Sequence, residues 1–522
     1  MRKLKAFLAS LTALSCCCAS CLPMAEQIPS MYSVVASAKD TEEIVTSGTC
    51  GKNLTWNFDE STETLTVSGT GEMENWIDWK HDVPWHDFYS DIKKIILKNG
   101  VTTIGSNAFS YCTALKSITI SDSVTAIGSG AFAYCTALES ITIPDSVTII
   151  GSHAFFGCTA LKSITIPDSV TAIGRSTFDY CTALESITIP DRVTAIGENA
   201  FYCTALKSII IPDSVTTIEG SAFFGTPWLE TKQKENPFVI INGILINGTT
   251  CEGEIKIPDS VTAIGSNSFS YCTALESIII PDSVTTIGGS AFLGTLWLKT
   301  KQNENPFVIV NEILIDGTTC EGKIRIPDSV TAIGSNAFSY CTGLESIIIP
   351  DSVKSIGKSA FEYCTALESI TIPDSVTTIG DGAFSCCSAL TLVTISDSVT
   401  SIGECAFYGC ESLTSITIEN PACKISEDDC CGDAAIFEPA TIYGYDNSTA
   451  QTYAEKYNIN FVSLGIAPAS TDTSTTWNGS NTDMNGDDRT DTADTVLILV
   501  FSAEYGAGKV SSFAEFMKNR QK

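Results

Sequence analysis

Most of the chain repeats one pattern of apolar and polar positions. A phenylalanine marks each repeat and recurs every 23 residues, or at twice that interval, with one residue lost before Phe223. A fixed period of this length is typical of a solenoid, in which each coil buries its apolar side only against its neighbours. The marker residues are Phe109, Phe132, Phe155, Phe178, Phe201, Phe223, Phe269, Phe292, Phe338, Phe361, Phe384 and Phe407.

Each repeat predicts a short strand, a corner and a second short side. In one representative unit, Ile141 and Ile143 alternate with polar residues, which indicates a strand with one buried face. Pro144 ends this strand because it has no backbone N–H to donate. Val147 and Ile150 then point inward on the next side of the coil. The pattern therefore predicts a mostly β chain of closed, stacked coils.

The repeat resembles that of a known family. The run L-x-x-I-x-I, followed by I-P-D-S-V-T-x-I-G-x-x-A-F, resembles the BspA-like leucine-rich repeats of secreted and surface proteins, over about residues 92–465. Residues 39–91 resemble the β-rich leader of that family, and ATIYGYDNSTAQTYAEKYNINFVSL resembles its C-terminal cap. The resemblance implies a leucine-rich-repeat solenoid that binds other macromolecules and is not an enzyme.

The first residues indicate export. Arg2, Lys3 and Lys5 precede an apolar run, and Ala36-Ser37-Ala38 supplies the small residues of a cleavage site. We interpret residues 1–38 as a secretory signal peptide, with cleavage after Ala25 or lipidation of a cysteine as the alternatives. No other segment approaches the roughly 20 apolar residues that a membrane-spanning helix needs. The expected location is extracellular, at the cell surface or in a cellulosome.

Composition and charge argue against several classes of partner and of catalytic site. The 522 residues contain 30 Lys and Arg against 60 Asp and Glu, a net charge of −30, which argues against nucleic acid or an anionic membrane as a partner. The 3 histidines leave few residues for a catalytic triad or a histidine-based metal centre. His81 and His86 lack a positioned nucleophile nearby, so we interpret them as surface or cap residues.

Two inserts interrupt the repeat. Similar segments begin at Thr226 and Thr295, three repeat lengths apart, and each pairs two apolar runs across Asn242-Gly243 or Asn311-Glu312. Such a pairing predicts a hairpin. One interpretation is a coil of altered shape that still packs; the other is a pair of hairpins that project as a binding lip.

Ten of the 22 cysteines follow the repeat. They occur three residues after the marker phenylalanine, and equivalent positions in stacked coils lie too far apart for disulfides, so we expect buried thiols. Zinc at Cys423, Cys430 and Cys431, or a disulfide among these and Cys405, are alternatives. The column comprises Cys112, Cys135, Cys158, Cys181, Cys272, Cys341, Cys364, Cys387 and Cys410, with Cys203 displaced by one position.

The outward strand positions alternate in charge. Lys116, Glu139, Lys162 and Glu185 occupy equivalent places in successive coils, which predicts ion pairs between neighbouring strands. Aromatic platforms for sugars are missing from this face. A separate column precedes the cysteines and is expected to be half-buried: Tyr111, Tyr134, Tyr180, Tyr271, Tyr340 and Tyr363.

The C-terminal segment carries a calcium motif. Residues 466–480 are rich in Pro, Ser, Thr and Gly and indicate a flexible linker. The 12-residue run that follows places oxygen ligands at the spacing of a Ca²⁺ loop. The expected ligands are Asp483, Asn485, Asp487, the carbonyl of Arg489, Asp491 and Asp494.

Residues 481–522 as a whole resemble a dockerin, a small α module that binds cohesin-bearing scaffold proteins. The resemblance implies Ca²⁺ as the cofactor and Thr492 and Ala493 as contacts to a cohesin. Two departures stand out: Asp488 occupies the place of the usual glycine, and a second loop lacks its carboxylates. The leading hypothesis is a secreted binding or adhesion protein that recognises a protein or polysaccharide and docks through this tail. The alternatives are an accessory component of a polysaccharide-degrading complex and a structural cell-surface spacer.

Overall fold

The computed structural model describes residues 45–76, 83–426 and 440–467. These residues divide into two compact units between Trp297 and Leu298. Both units consist of coils stacked in parallel register at a 23-residue period, for example Ile164 on Ile141, which confirms the mostly β leucine-rich-repeat solenoid. In this described part of the chain, no helix is both long and apolar enough to cross a membrane.

The leader is β-rich, as expected, and it opens the solenoid. Strands β1 to β3 form an antiparallel sheet, and β3 pairs in parallel with the first repeat strand, with Leu65 opposite Ile95. Trp85 is fully buried beneath them, and its ring stacks on Phe109 at 5.5 Å between centroids. The elements are β1 (Ser47–Gly51), β2 (Leu54–Asp59), β3 (Thr64–Gly69), β4 (Gly71–Glu72) and a 3-10 turn at His86–Phe88.

Each regular coil of the first unit contributes one strand to each of two parallel columns. The first column holds the strands that precede the Pro-Asp or Ser-Asp corner: β5 (Lys94–Leu97), β7 (Ser117–Thr119), β9 (Ser140–Thr142), β11 (Ser163–Thr165), β13 (Ser186–Thr188) and β15 (Ser208–Ile210). The second column holds the strands that follow that corner: β6 (Val101–Ile104), β8 (Ala126–Ile127), β10 (Ile149–Ile150), β12 (Ala172–Ile173), β14 (Ala195–Ile196) and β16 (Thr217–Ile218).

The marker phenylalanines form the centre of the core. Phe155 is fully buried and stacks between Phe132 at 5.4 Å and Phe178 at 5.6 Å. Leu and Val of each coil, such as Leu161 and Val147, complete the same buried cluster. Each ring therefore packs chiefly on the two neighbouring coils, which explains why the period is so strictly kept.

The first insert replaces one coil. It consists of α1 (Pro227–Glu235), β17 (Val239–Ile241), β18 (Ile244–Asn247) and β19 (Gly253–Lys256), and regular strands resume with β20 (Ala263–Ile264), β21 (Leu275–Ile279) and β22 (Thr286–Ile287). The antiparallel hairpin of β17 and β18 is confirmed. However, β18 also pairs in parallel with β20, so it takes the place of a second-column strand. The hypothesis of a projecting hairpin lip is therefore wrong, and the altered coil that still packs is correct.

Helix α1 was not predicted. Thr226 caps it, because its Oγ1 accepts a hydrogen bond from the N–H of Leu229 at 3.1 Å, and Pro227 occupies the first turn. Trp228 and Leu229 are buried against the solenoid. The Thr-Pro pair is an ordinary helix-start signal, and the expectation of strands alone overlooked it.

The second unit repeats this arrangement and ends in the cap. The insert contributes α2 (Leu296–Glu304), β23 (Val308–Val310), β24 (Ile313–Asp316) and β25 (Gly322–Arg325). The coils contribute β26 (Ala332–Ile333), β27 (Leu344–Ile348), β28 (Ser355–Ile356), β29 (Ser369–Thr371), β30 (Thr378–Ile379), β31 (Leu392–Ile395), β32 (Ser401–Ile402), β33 (Ser415–Ile418) and β34 (Lys424–Ile425). The cap is β35 (Thr441–Asp446), α3 (Thr449–Tyr457) and β36 (Phe461–Ile466).

Candidate binding surface

The outer face of the first strand column is a small-residue surface. In β9, β11 and β13 the central isoleucine is buried, and the flanking Ser and Thr side chains are exposed. Parallel pairing places Thr142 beside Thr165 in one outer row, and Thr188 lies at the same place in its own strand. The short side chains leave this face open to close approach by another molecule.

Isoleucine and basic residues interrupt the threonine row. Ile210 pairs with Thr188 and is 78% exposed. Beside the first insert, Ile279 is 61% exposed and pairs with Lys256. In the second unit, Ile348 is 53% exposed and pairs with Arg325. Each insert therefore brings a cation next to an exposed isoleucine, at equivalent positions of the two units.

The predicted ion pairs between successive coils are present. Lys162 Nζ lies 2.7 Å from a carboxylate oxygen of Glu139, and Lys207 Nζ lies 2.7 Å from one of Glu185. All four side chains are more than half exposed, so each pair contributes little to stability. Their effect is to neutralise the flank of the strand face and favour one register.

The cysteine column is buried and bonded to the backbone. The Sγ atoms of Cys135, Cys181 and Cys364 each donate to the carbonyl oxygen of the marker phenylalanine one coil earlier, at 3.2 Å. Burial raises the pKa of the Cys158 thiol to about 12. A protonated, enclosed thiol is a poor nucleophile and a poor metal ligand, so this column is a packing element.

Every coil contains two residues in the left-handed backbone conformation, which the sequence analysis did not predict. They lie two residues before and two residues after the marker phenylalanine, as Asn107 (φ 56°) and Tyr111 (φ 60°) do around Phe109. In some coils glycine takes these places, as Gly157 does with φ 68°. The backbone N–H groups there donate to the next coil, for example from Tyr111 to Ala133 at 2.7 Å.

Aromatic side chains form a continuous row along this turn. The sequence pattern identified only the tyrosines; where Gly157, Cys203 or Gly225 takes the tyrosine position, the preceding residue is aromatic instead. Successive ring centroids lie 4.4, 5.1, 5.9, 5.7 and 5.5 Å apart. This aromatic row comprises Tyr111, Tyr134, Phe156, Tyr180, Tyr202 and Phe224.

The aromatic row is half-buried overall and open at two rings. Tyr180 is 45% exposed and Phe224 is 44% exposed, and the other four side chains are of intermediate burial. The expectation of a half-buried column therefore holds for Tyr111, Tyr134 and Tyr363. It is wrong for Tyr180, Tyr271 and Tyr340, which are 45%, 50% and 59% exposed.

The predicted Ca²⁺ loop lies outside the described residues. This applies to Asp483, Asn485, Asp487, Arg489, Asp491 and Asp494, to the contact residues Thr492 and Ala493, and to the signal peptide, residues 468–480 of the linker, His81, Cys430 and Cys431. The expected start of the linker at residue 466 is wrong, because Ile466 is the last residue of β36. Of the alternative cysteine sites, Cys405 and Cys423 are described; Cys405 is half-buried and Cys423 is a buried thiol, and neither forms a disulfide. Within residues 45–76, 83–426 and 440–467, no three His, Cys, Asp or Glu side chains are grouped to hold a metal ion.

Solved structures with similar repeats come from several bacteria. A leucine rich cell surface protein from Faecalibacterium prausnitzii is 27% identical, covering 74% of this chain and 96% of its own, with a TM-score of 0.31. A leucine-rich repeat protein from Eubacterium ventriosum is 25% identical over 76% of this chain and 95% of its own, with a TM-score of 0.32. A leucine-rich repeat protein from Bacteroides ovatus is 25% identical over 72% and 95%, with a TM-score of 0.29.

The family itself follows from the repeats. No curated protein matches the chain. A family model described as the BspA type leucine rich repeat region (6 copies) matches residues 86–147, 125–243, 247–313 and 317–430. Because these matches cover more than half of the chain, the chain belongs to the BspA-type leucine-rich repeat family.

Proposed function

We propose that the chain is a secreted, non-catalytic binding protein whose first strand column recognises a protein or glycan surface outside the cell. The observation that carries this proposal is the exposure of Ile210, Ile279 and Ile348 on a face where the regular coils have threonine. A single exposed isoleucine is common on protein surfaces. Exposed isoleucines recur at the same strand position, as Ile210 and Ile279 in the first unit and Ile348 in the second. Ile279 pairs with Lys256 and Ile348 with Arg325, so each unit carries its own apolar and cationic contact.

The inserts support this role. In β7, β9, β11 and β13, the residue in the outer row is threonine. The strand that leaves each insert ends instead in Lys256 or Arg325, and each cation stays on the surface beside an aspartate three residues later, at 3.2 or 2.8 Å. An exposed cation next to an isoleucine fits a ligand that offers both an apolar patch and a hydrogen-bond acceptor or carboxylate.

A second proposal concerns the tail. The spacing of Asp483, Asn485, Asp487 and Asp494 supports a Ca²⁺-loaded dockerin-like module that attaches the solenoid to a cohesin-bearing scaffold. Its test is separate from that of the solenoid: circular dichroism of the full chain with and without Ca²⁺, and capture by immobilised cohesins. Asp483→Ala with Asp494→Ala should abolish the capture, and a wild-type chain that no cohesin retains would remove this role.

The strand-face proposal is tested by screening the full chain against extracellular-matrix proteins and plant-wall polysaccharides. The variant Ile210→Thr/Ile279→Thr/Ile348→Thr restores the threonine of the regular coils and should weaken capture by at least about tenfold. The matched control is Ile149→Ala, because Ile149 is 61% exposed in the second column, at a position where β8 and β12 have alanine. Equal loss in both variants, or unchanged capture by the triple variant, would contradict the proposal.

A further inference from the structure

The aromatic row encloses a carboxyl group with an unused oxygen. Asp179 is 5% exposed, and its Oδ1 is one of the few buried side-chain oxygens in the described part of the chain that has no hydrogen-bond partner. Leaving a buried acceptor unsatisfied has a free-energy cost that the native state normally avoids. The unpaired Oδ1 beside a surface row of aromatic rings therefore points to a hydrogen-bond donor supplied by another molecule.

Two aromatic residues occupy the repeat position of Asp179 in the neighbouring coils, and a third, Tyr180, follows Asp179 in the sequence. Asp179 follows its marker phenylalanine directly, as Phe156 and Tyr202 do in the coils on either side. Backbone hydrogen bonds fix this stacking: the N–H of Gly157 donates to the carbonyl of Asp179 at 2.8 Å. Tyr180, the next residue, lies 5.9 Å from the Phe156 ring and 5.7 Å from the Tyr202 ring between centroids. Burial raises the pKa of the Tyr134 and Tyr202 hydroxyls, and the negative charge of Asp179 contributes to both shifts, which places the carboxyl beside these rings. Tyr180 is the exposed ring next to it.

The charged residues near Asp179 do not fully balance its negative charge, so a further cation would be attracted there. Arg175, in the same coil, favours the ionised form of Asp179, but its Nε also lies 3.7 Å from Glu198. Despite Arg175 and the hydrogen bond from Ser176, burial raises the pKa of Asp179 to about 7. The chain carries a net charge of −30, so it attracts cationic partners at long range.

We propose that the aromatic row at Asp179 binds a lysine or arginine side chain of a partner protein. Because Oδ1 of Asp179 is buried in the unbound chain, binding requires the exposed Tyr180 ring to turn aside. The cationic group then donates to Oδ1, and its alkyl stem and charge lie against the rings of Phe156, Tyr180 and Tyr202. A neutral sugar also stacks on aromatic rings and donates hydroxyl hydrogens. It brings no charge to balance a desolvated carboxylate, however, which is why the observations favour the cation.

This inference rests on the proposed function only in that the solenoid binds a macromolecule, since the row and the strand face are different surfaces. The chain also supplies a matched control residue. Glu362 takes the place of Asp179 in its own coil and is likewise followed by a tyrosine, Tyr363. The equivalent residues on either side of Glu362 are Ser339 and Ser385, so it lacks the flanking rings.

The test measures binding of a fluorescent peptide of alternating lysine and glycine to the full chain by anisotropy at low salt. Asp179→Asn should weaken binding by at least about tenfold, and Glu362→Gln by less than about twofold, because both remove one negative charge but only the first removes the ringed carboxyl. Phe156→Leu keeps the carboxylate and should weaken binding to an intermediate degree. Thermal melting of each variant shows that the solenoid remains folded.

Two further probes decide between ligand classes. The same peptide with acetylated lysines should not bind, and neither should cellohexaose. Equal losses of binding in Asp179→Asn and Glu362→Gln would show only general charge attraction and contradict the proposal. Binding of the acetylated peptide as tightly as the cationic one would show that the lysine charge is not recognised. Binding of cellohexaose that depends on Asp179 would assign the row to a sugar and overturn the proposal. All of these results leave the strand-face proposal untouched, because its isoleucine variants keep Asp179.

Discussion

The Sγ of Cys158 donates a hydrogen bond to the carbonyl oxygen of Phe132, one coil earlier, at 3.1 Å. The same contact recurs along the column, for example from Cys387 to Phe361 and from Cys410 to Phe384, both at 3.1 Å. Each coil that has this contact therefore bonds to the previous one through a side chain as well as through its backbone. The column is a buried polar ladder inside an apolar core.

We expect the thiols of this column to resist labelling in the native protein. Burial raises the pKa of Cys158 and Cys410 to about 12, so the reactive thiolate is scarce at pH 8. An aromatic disulfide reagent should label half-buried Cys203, Cys386 and Cys405 first, and the buried cysteines of the column only after denaturation, without any reductant. Rapid labelling of the whole column in the native state would contradict the ladder.

Gly157→Ala should destabilise the solenoid by about 2 kcal/mol or more, for two reasons that a control can separate. Its φ of 68° disfavours a side chain, and an added Cβ would lie 2.9 Å from Cδ1 of Tyr134. Gly253 has a similar φ of 64° and open space at its Cβ. Gly253→Ala should therefore cost only about 1 kcal/mol in chemical denaturation, and equal costs would show that the Tyr134 ring gives way.

Asp179→Asn should stabilise the protein at pH 8 and leave its stability unchanged near pH 4. Burial raises the pKa of Asp179 from 3.8 to about 7 in the folded state, so the folded state binds more protons than the unfolded state between these values. Stability therefore falls as pH rises through that window, by up to about 4 kcal/mol. Thermal melting across pH measures this, with exposed Asp145→Asn as the control; parallel curves for wild type and Asp179→Asn would refute it.

Thr226→Ala should loosen the first insert. The buried Oγ1 of Thr226 accepts from the N–H of Leu229 and donates to the carbonyl of Phe223 at 2.7 Å. Losing both contacts should cost about 1 to 2 kcal/mol. Exposed Thr231→Ala, within the same helix, should cost less than about 1 kcal/mol. Hydrogen exchange of α1 is the measurement, and protection that survives Thr226→Ala would show that Trp228 and Leu229 hold the helix alone.

The strict repeat made most of the fold predictable. Because every coil packs on its neighbours, Phe155, Leu161 and Val147 are buried at fixed positions of the repeat. The spacing of apolar residues in the sequence therefore predicts their burial. The secondary structure of the inserts was harder to predict, because apolar runs occur in strands as well as in helices. There the Thr226-Pro227 cap was the decisive local signal.

The binding surfaces were only partly predictable. The Lys and Glu alternation showed the flank of the strand face, but whether Ile210 is exposed depends on which face its strand buries. The aromatic row was missed because Phe156, Tyr202 and Phe224 lie one position away from the tyrosine column, and only the left-handed turn brings the two positions together. The unused oxygen of Asp179 depends on the packing of three coils, which no single repeat shows.

The central claim is that the outer face of the first strand column binds a macromolecular ligand. Carbene footprinting of the full chain, with and without a ligand captured in the screen, tests it most directly because it reports the exposure of individual side chains. The account predicts that labelling of Ile210, Ile279 and Ile348 falls on binding, while Ile149, equally exposed in the second column, stays labelled. Protection of Ile149 with the three isoleucines still labelled would contradict it.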